Sequence, residues 1–124
     1  MTTGPAAVLV AEDNPLNFEL VRDLLDACGH QVEWARDGQE ALDLAQTGRF
    51  DVLLLDLHMP RLDGLEVVRA IRANPPARPL RVIALTADAM IGVRDDLFAA
   101  GVDGYLAKPL DLAALMREMV AVGG

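Results

Sequence analysis

The sequence predicts an α/β domain, a parallel sheet with helices on both faces. Three observations carry this. The apolar pattern switches between short unbroken runs and 3.6-residue periodicity five times along 124 residues. The strand-like runs are apolar at nearly every position, as in parallel strands buried on both faces. Helix-like stretches are bracketed by capping residues.

The first strand is read at residues 8–11, Val-Leu-Val-Ala. Asn14-Pro15 supplies an N-cap followed by proline at the first helical position. Leu20, Val21, Leu24, Leu25 and Cys28 give that helix its apolar stripe, and Gly29 closes it. A weaker, half-polar strand covers Gln31–Ala35. Asp37-Gly38-Gln39-Glu40 has capping-box spacing and opens a short helix carrying Ala41, Leu42 and Ala45. The strongest strand is read at 51–55. Asp63-Gly64-Leu65-Glu66 repeats the capping-box spacing before a helix with Val67, Val68 and Ile71. Asn74-Pro75-Pro76-Ala77-Arg78-Pro79 is a loop. A fourth strand is expected at 81–85, a fourth helix at about 88–100 ended by Gly101, and a fifth strand at 105–107. Leu112, Leu115, Met116, Met119 and Val120 form the stripe of the last helix. Nothing marks a linker or repeat, so 1–124 reads as a single domain with its core at about 7–122.

Composition narrows the function. A net charge of −8 argues against a nucleic-acid surface and against an anionic membrane. No apolar run is long enough to span a bilayer, and no leader pattern is seen. One cysteine makes no internal disulfide, so a reducing, cytoplasmic setting is expected. The sequence contains no serine, which excludes a serine triad, and a single lysine, Lys108, against ten arginines.

Ligands of open α/β sheets bind beyond the carboxyl ends of the strands. There the sequence places Glu12-Asp13, Asp56, Thr86 and Lys108-Pro109. Clustered carboxylates repel unless a cation sits among them. Hard oxygen ligands too few for a full cage suit Mg²⁺, which takes phosphate oxygens as further ligands. An ammonium and a hydroxyl are donors for the remaining phosphoryl oxygens. With no glycine-rich phosphate loop, the set points to one phosphoryl group, with a carboxylate as its acceptor.

Glu12-Asp13, the apolar run into Asp56, Asp56-Leu57-His58-Met59-Pro60 followed by Asp63-Gly64, Leu85-Thr86-Ala87, and Lys108-Pro109 together resemble the receiver domain of two-component response regulators. The resemblance extends from about residue 8 to 122, and Glu12 to Asn17 further resembles receivers of hybrid kinases. It implies a flavodoxin-like, doubly wound five-stranded sheet of order 2-1-3-4-5. It implies Asp56 as phosphoacceptor from a histidine kinase or histidine phosphotransfer protein. Asp13 would ligate Mg²⁺ directly and Glu12 through water, with Asp56 and the backbone carbonyl of His58 completing the protein ligands. Lys108 would pair with the phosphoryl group, Thr86 would hydrogen-bond it, and small Ala87 would let the backbone approach. Lys108-Pro109 would be a cis peptide. Tyr105 would follow Thr86 as a switch, and His58 and Asp88 would flank the hydrolytic water. With no room for a DNA-binding domain, output would go to a downstream protein target.

The competing reading is a small Mg²⁺-dependent phosphatase of the haloacid dehalogenase type. That class wants a second aspartate two residues after the nucleophile, where this chain has His58. A flavin-binding module fits less well, because the loop after the first strand is acidic. Other residues take plainer readings. Cys28 is core, His30 is solvated in a turn, and Trp34 is packing. Asn17 lies on the apolar side of the first helix, and Phe18 and Arg22 lie off its stripe, where they could meet a kinase. Met1 and the short end at Gly124 suit a stand-alone chain, while the resemblance equally allows a receiver cut from a hybrid kinase.

Overall fold

The computed structural model describes residues 6–57, 64–77, 79–86, 91–107 and 112–123, with backbone alone at 91–94, 112 and 120–123. In chain order the elements are β1 (Ala7–Ala11), α1 (Pro15–Ala27), β2 (Gln31–Ala35), α2 (Gly38–Ala45), β3 (Val52–Asp56), α3 (Gly64–Ala73), β4 (Arg81–Thr86), α4 (Ile91–Ala100), β5 (Gly104–Ala107) and α5 (Leu112–Gly123). The five strands form one parallel sheet of order β2-β1-β3-β4-β5. This is the order and class expected from the sequence. Strand ends differ from the sequence reading by a residue, because the ladders run on into Asp56 and Thr86.

Alternation along the strands divides the core in two. Leu9, Ala11, Leu53, Leu55, Val82 and Ala84 pack with Ala41, Ala45, Val67, Val68, Ile71 and Leu97, the inner residues of α2, α3 and α4. Val8, Val10, Val52, Leu54, Ile83 and Leu85 pack on the other face with Phe18, Val21, Leu25, Leu115 and Met119, from α1 and α5. The central strands are therefore buried on both sides, which is why their sequences are apolar without alternation. Truncating one of these leucines to alanine costs about 2–5 kcal/mol.

Local signals act as read. Asn14 caps α1, its Oδ1 accepting from the backbone N–H of Leu16 at 2.9 Å. Asp37 caps α2 by accepting from Glu40 N–H at 2.9 Å. The Glu40 carboxylate reaches back one residue further than a capping box requires, to Arg36 N–H. Asp63 lies outside the described residues.

The α1 readings are corrected. Phe18 is buried, while Leu20 is 53% and Leu16 74% exposed. The buried stripe is Phe18, Val21 and Leu25. The helix is turned toward β2 because Phe18 stacks on Trp34, with ring centroids 4.5 Å apart and planes 6° from parallel. Asn17 is exposed, as is Cys28, which lies just past the last turn, and Met116 of α5 is 48% exposed. His30 is half-buried: the left-handed turn at Gly29 returns the chain to the start of β1, where His30 Nδ1 accepts from Ala6 N–H at 3.0 Å.

The amino edge of the sheet is tied by Arg72, from the last turn of α3. Its guanidinium donates to the carbonyls of Gly101 (2.9 Å) and Leu80 (3.2 Å) and pairs with Asp103 at 2.6 Å. Asp103 in turn accepts from Val82 N–H at 2.8 Å. Gly101 has φ +113°, and a Cβ there would lie 2.7 Å from Arg72 Cγ, so glycine serves both the turn and the clamp.

Candidate functional site

The chain runs from β1 to β2 on one side and then crosses back to β3 on the other, so a crevice opens beyond the carboxyl ends of β1 and β3. Glu12 follows β1 directly. Its backbone N–H donates to Ala35 carbonyl at 3.0 Å, and its carbonyl accepts from Trp34 Nε1 at 2.7 Å. Its carboxylate accepts from Asn14 N–H at 3.2 Å. Asp13 comes next and is exposed. Asp56 is the last residue of β3, in register with Leu85 of β4. Leu57 N–H continues the ladder to Leu85 carbonyl at 3.2 Å.

Glu12, Asp56 and Thr86 are the buried polar residues of the described chain, each 1–2% exposed. Oxygens from the Glu12, Asp13 and Asp56 carboxylates lie within 4.8 Å of one another. A pair of carboxylates at that separation repels by roughly 3.5 kcal/mol at an effective dielectric of about 20. The cluster is thus built at a cost that a bound cation offsets. Its donors are all hard oxygens and too few for a full coordination shell, which fits a divalent ion that keeps positions open for water or an anion.

Two backbone features hold Asp56 in place. The first is its place at the end of a fully buried strand. The second is the start of α3, which packs so closely that a Cβ on Gly64 would lie 2.8 Å from Leu57 Cδ2, 3.0 Å from Leu57 Cα and 3.4 Å from the Asp56 carbonyl oxygen. Glycine there is required by the close approach to the end of β3.

The structure therefore brings together Glu12, Asp13 and Asp56 and sets Thr86 at the end of the neighbouring strand. Tyr105 is half-buried on β5, against the core that contains Ala84, and meets Phe98 of α4 edge-on at 6.3 Å and 82°. His58, Ala87, Asp88, Lys108 and Pro109 lie outside the described residues. Sequence reasoning missed Trp34 as a partner of the acidic loop. The available signal was its position, next to last on the strand beside β1, with a ring N–H that needs an acceptor when buried.

The response regulator receiver domain family matches residues 8–120 of the chain. The polar-differentiation response regulator DivK of Brucella anthropi is 40% identical over 115 residues, which cover 93% of this chain and 94% of that protein. The receiver domain of sensor histidine kinase PA1611 from Pseudomonas aeruginosa PAO1 is 37% identical, with TM-score 0.87 over 98% of this chain and all (100%) of that one. Its crystal structure holds a magnesium ion coordinated in the active site cleft. The co-crystal structure of the Saccharomyces cerevisiae histidine phosphotransfer signaling protein Ypd1 with the receiver domain of its downstream response regulator Ssk1 also matches. There the TM-score is 0.89 at 26% identity, over 99% of this chain and 92% of that one. A doubly wound sheet with its acidic cluster at the switch point, matched in sequence and fold to signalling receivers, belongs to the response regulator receiver domain family.

Proposed function

We infer that this chain is a phosphorylation-dependent switch in which Asp56 accepts a phosphoryl group, with Mg²⁺ held beside it, from a histidine kinase or histidine phosphotransfer protein. The observation that supports this most is the convergence of the Glu12, Asp13 and Asp56 oxygens within 4.8 Å in a receiver fold. When bound, Mg²⁺ supplies charge neutralisation for the transferring group.

The chain's own residues do the rest. An Asp56 carboxylate oxygen attacks the phosphorus of the donor phosphohistidine. The O–P bond forms as the N–P bond breaks, and the electron pair leaves with the donor imidazole, which takes a proton from solvent. Asp13 would hold the cation, with Glu12 acting through water and Asp56 and the His58 backbone carbonyl as the remaining protein ligands. Lys108, followed by Pro109, pairs with the incoming negative charge of about −1.5 to −2. Thr86 donates its hydroxyl to a phosphoryl oxygen, and Ala87 leaves room for that oxygen. Tyr105 follows Thr86 and alters the surface that a downstream protein reads. His58 and Asp88 flank the water that later hydrolyses the acyl phosphate. α1 begins two residues after Asp13, and Leu16 and Leu20 stand exposed on it one turn apart. These leucines, in place of Phe18, are the apolar contact for the donor protein.

Incubation with a small phosphodonor and Mg²⁺, followed by intact mass and site mapping, tests the assignment. One acid-labile group on Asp56 is expected, and none on Asp56→Asn. A stoichiometric label on that variant overturns it.

A further inference from the structure

The indole of Trp34 does more than pack. It is the sole tryptophan of the chain and lies on β2, an edge strand of the sheet. Phe18 stacks on it from α1, and the Arg36 guanidinium lies over it at 4.7 Å from the ring centroid. Ring contacts of this kind fix an indole in place, and here its Nε1–H points at one acceptor, the Glu12 carbonyl, at 2.7 Å.

That carbonyl belongs to the peptide unit joining Glu12 to Asp13. A peptide unit is planar, so its six atoms from the Glu12 Cα to the Asp13 Cα move together. Glu12 N–H is separately held by Ala35 carbonyl at 3.0 Å. Between them, adjacent residues of β2 hold Glu12 at both its N–H and its carbonyl, and the indole sets the plane that carries Asp13. Asp13 is exposed and has no buried packing to place it. Repulsion among the three carboxylates pushes this loop outward when no cation is present. The indole hydrogen bond opposes that movement.

We propose that Trp34 is a positioning residue for the divalent-cation site, acting through the Glu12 carbonyl to hold the Glu12–Asp13 peptide in its metal-binding orientation. This rests on the reading of the acidic cluster as a Mg²⁺ site. Outer partners of metal ligands commonly change affinity tenfold or more when removed. The Trp34 contact reaches the ligand through backbone, so a loss of about fivefold to tenfold is expected, the scale of one hydrogen bond.

The experiment uses Mg²⁺ alone as probe. Wild type is titrated by calorimetry, beside Trp34→Phe and a protein with 3-benzothienylalanine at position 34, which keeps the bicyclic ring and lacks the N–H. Val21→Ala, a core truncation on α1 one turn from Phe18 that leaves the indole N–H in place, controls for loosening of the packing around the ring. Both N–H-deficient proteins are expected to bind Mg²⁺ about fivefold to tenfold more weakly, with Val21→Ala within twofold of wild type. In wild type, the single indole N–H resonance is expected to shift with the calorimetric midpoint, a readout that does not depend on any variant folding. Wild-type affinity in the benzothienyl protein, an equal loss in Val21→Ala, or an indole resonance unmoved by saturating Mg²⁺ each overturns the role of Trp34. Absence of Mg²⁺ binding by wild type would instead remove the reading of the site itself, and this proposal with it.

Discussion

Asp56→Asn is expected to make the metal-free protein more stable. Asp56 and Glu12 are both buried, with carboxylate oxygens within 4.8 Å, so their repulsion is roughly 3.5 kcal/mol at an effective dielectric of about 20. Asp13 is exposed, and its repulsion with Asp56 is nearer the aqueous value of about 1 kcal/mol. Rotation of the carboxylates apart removes much of the buried share, and salt screens the exposed Asp13 share. A net gain of about 1–2 kcal/mol is left for the variant, in which an isosteric amide replaces the charge. With a urea dependence of about 1.5 kcal/mol per molar, the unfolding midpoint in EDTA rises by about 1 M. Mg²⁺ then reverses the order. At a hundredfold excess over its dissociation constant a ligand stabilises the native state by about 2.7 kcal/mol. Wild type gains this, while the variant, short of one ligand charge, gains far less. Urea titrations with EDTA and with Mg²⁺ measure all four values. An Asp56→Asn protein no more stable than wild type in EDTA would refute the claim that the cluster is held together against its own charge.

Gly64→Ala is expected to cost about 1–3 kcal/mol and to slow phosphorylation, since the new Cβ meets Leu57 backbone as well as side chain; unchanged urea midpoint and labelling rate would refute the close approach. Leu20→Glu, at an exposed position, should leave stability within about 0.5 kcal/mol and labelling by a small phosphodonor unchanged, while slowing transfer from a phosphorylated partner protein. Equal slowing with both donors would place the effect in the site rather than on the α1 surface. Lys108 is the single lysine, so amine acylation modifies it and the N-terminus alone. Full modification at Lys108 is expected to impair labelling of Asp56, and normal labelling would remove the lysine from the mechanism.

Most of the fold was legible because its signals are local or repeated. Unbroken apolar runs marked β1, β3 and β4, and Asn14, Asp37 and Gly29 act as the helix punctuation they resemble. The positions of Glu12, Asp13, Asp56 and Thr86 followed from strand ends alone. What was misread depends on neighbours distant in sequence. Periodicity fixes that α1 has an apolar face but not its rotation by one residue, and it is the Trp34 ring that draws Phe18 inward and leaves Leu20 outside. The contact of His30 with Ala6 arises only once β1 and β2 lie side by side. Cys28 fell on the apolar stripe yet sits beyond the end of the helix, where the chain has already turned away from the core.

The Arg72 clamp bears on how a signal can travel. It joins the end of α3, the entrance to β4 and the turn that follows α4, all at the sheet edge opposite the acidic cluster. The carboxyl end of α4 is thereby moored, while its amino end follows the loop leaving Thr86. A rod fastened at one end can only swing. Any displacement of α4 that spares the clamp is greatest near Ile91, shrinks along the helix, and vanishes by Gly101. Phe98, well toward the moored end, then turns against Tyr105 rather than travelling with the tip. A push at the carboxyl edge of the sheet would then change the angle of α4 rather than carry the whole helix along.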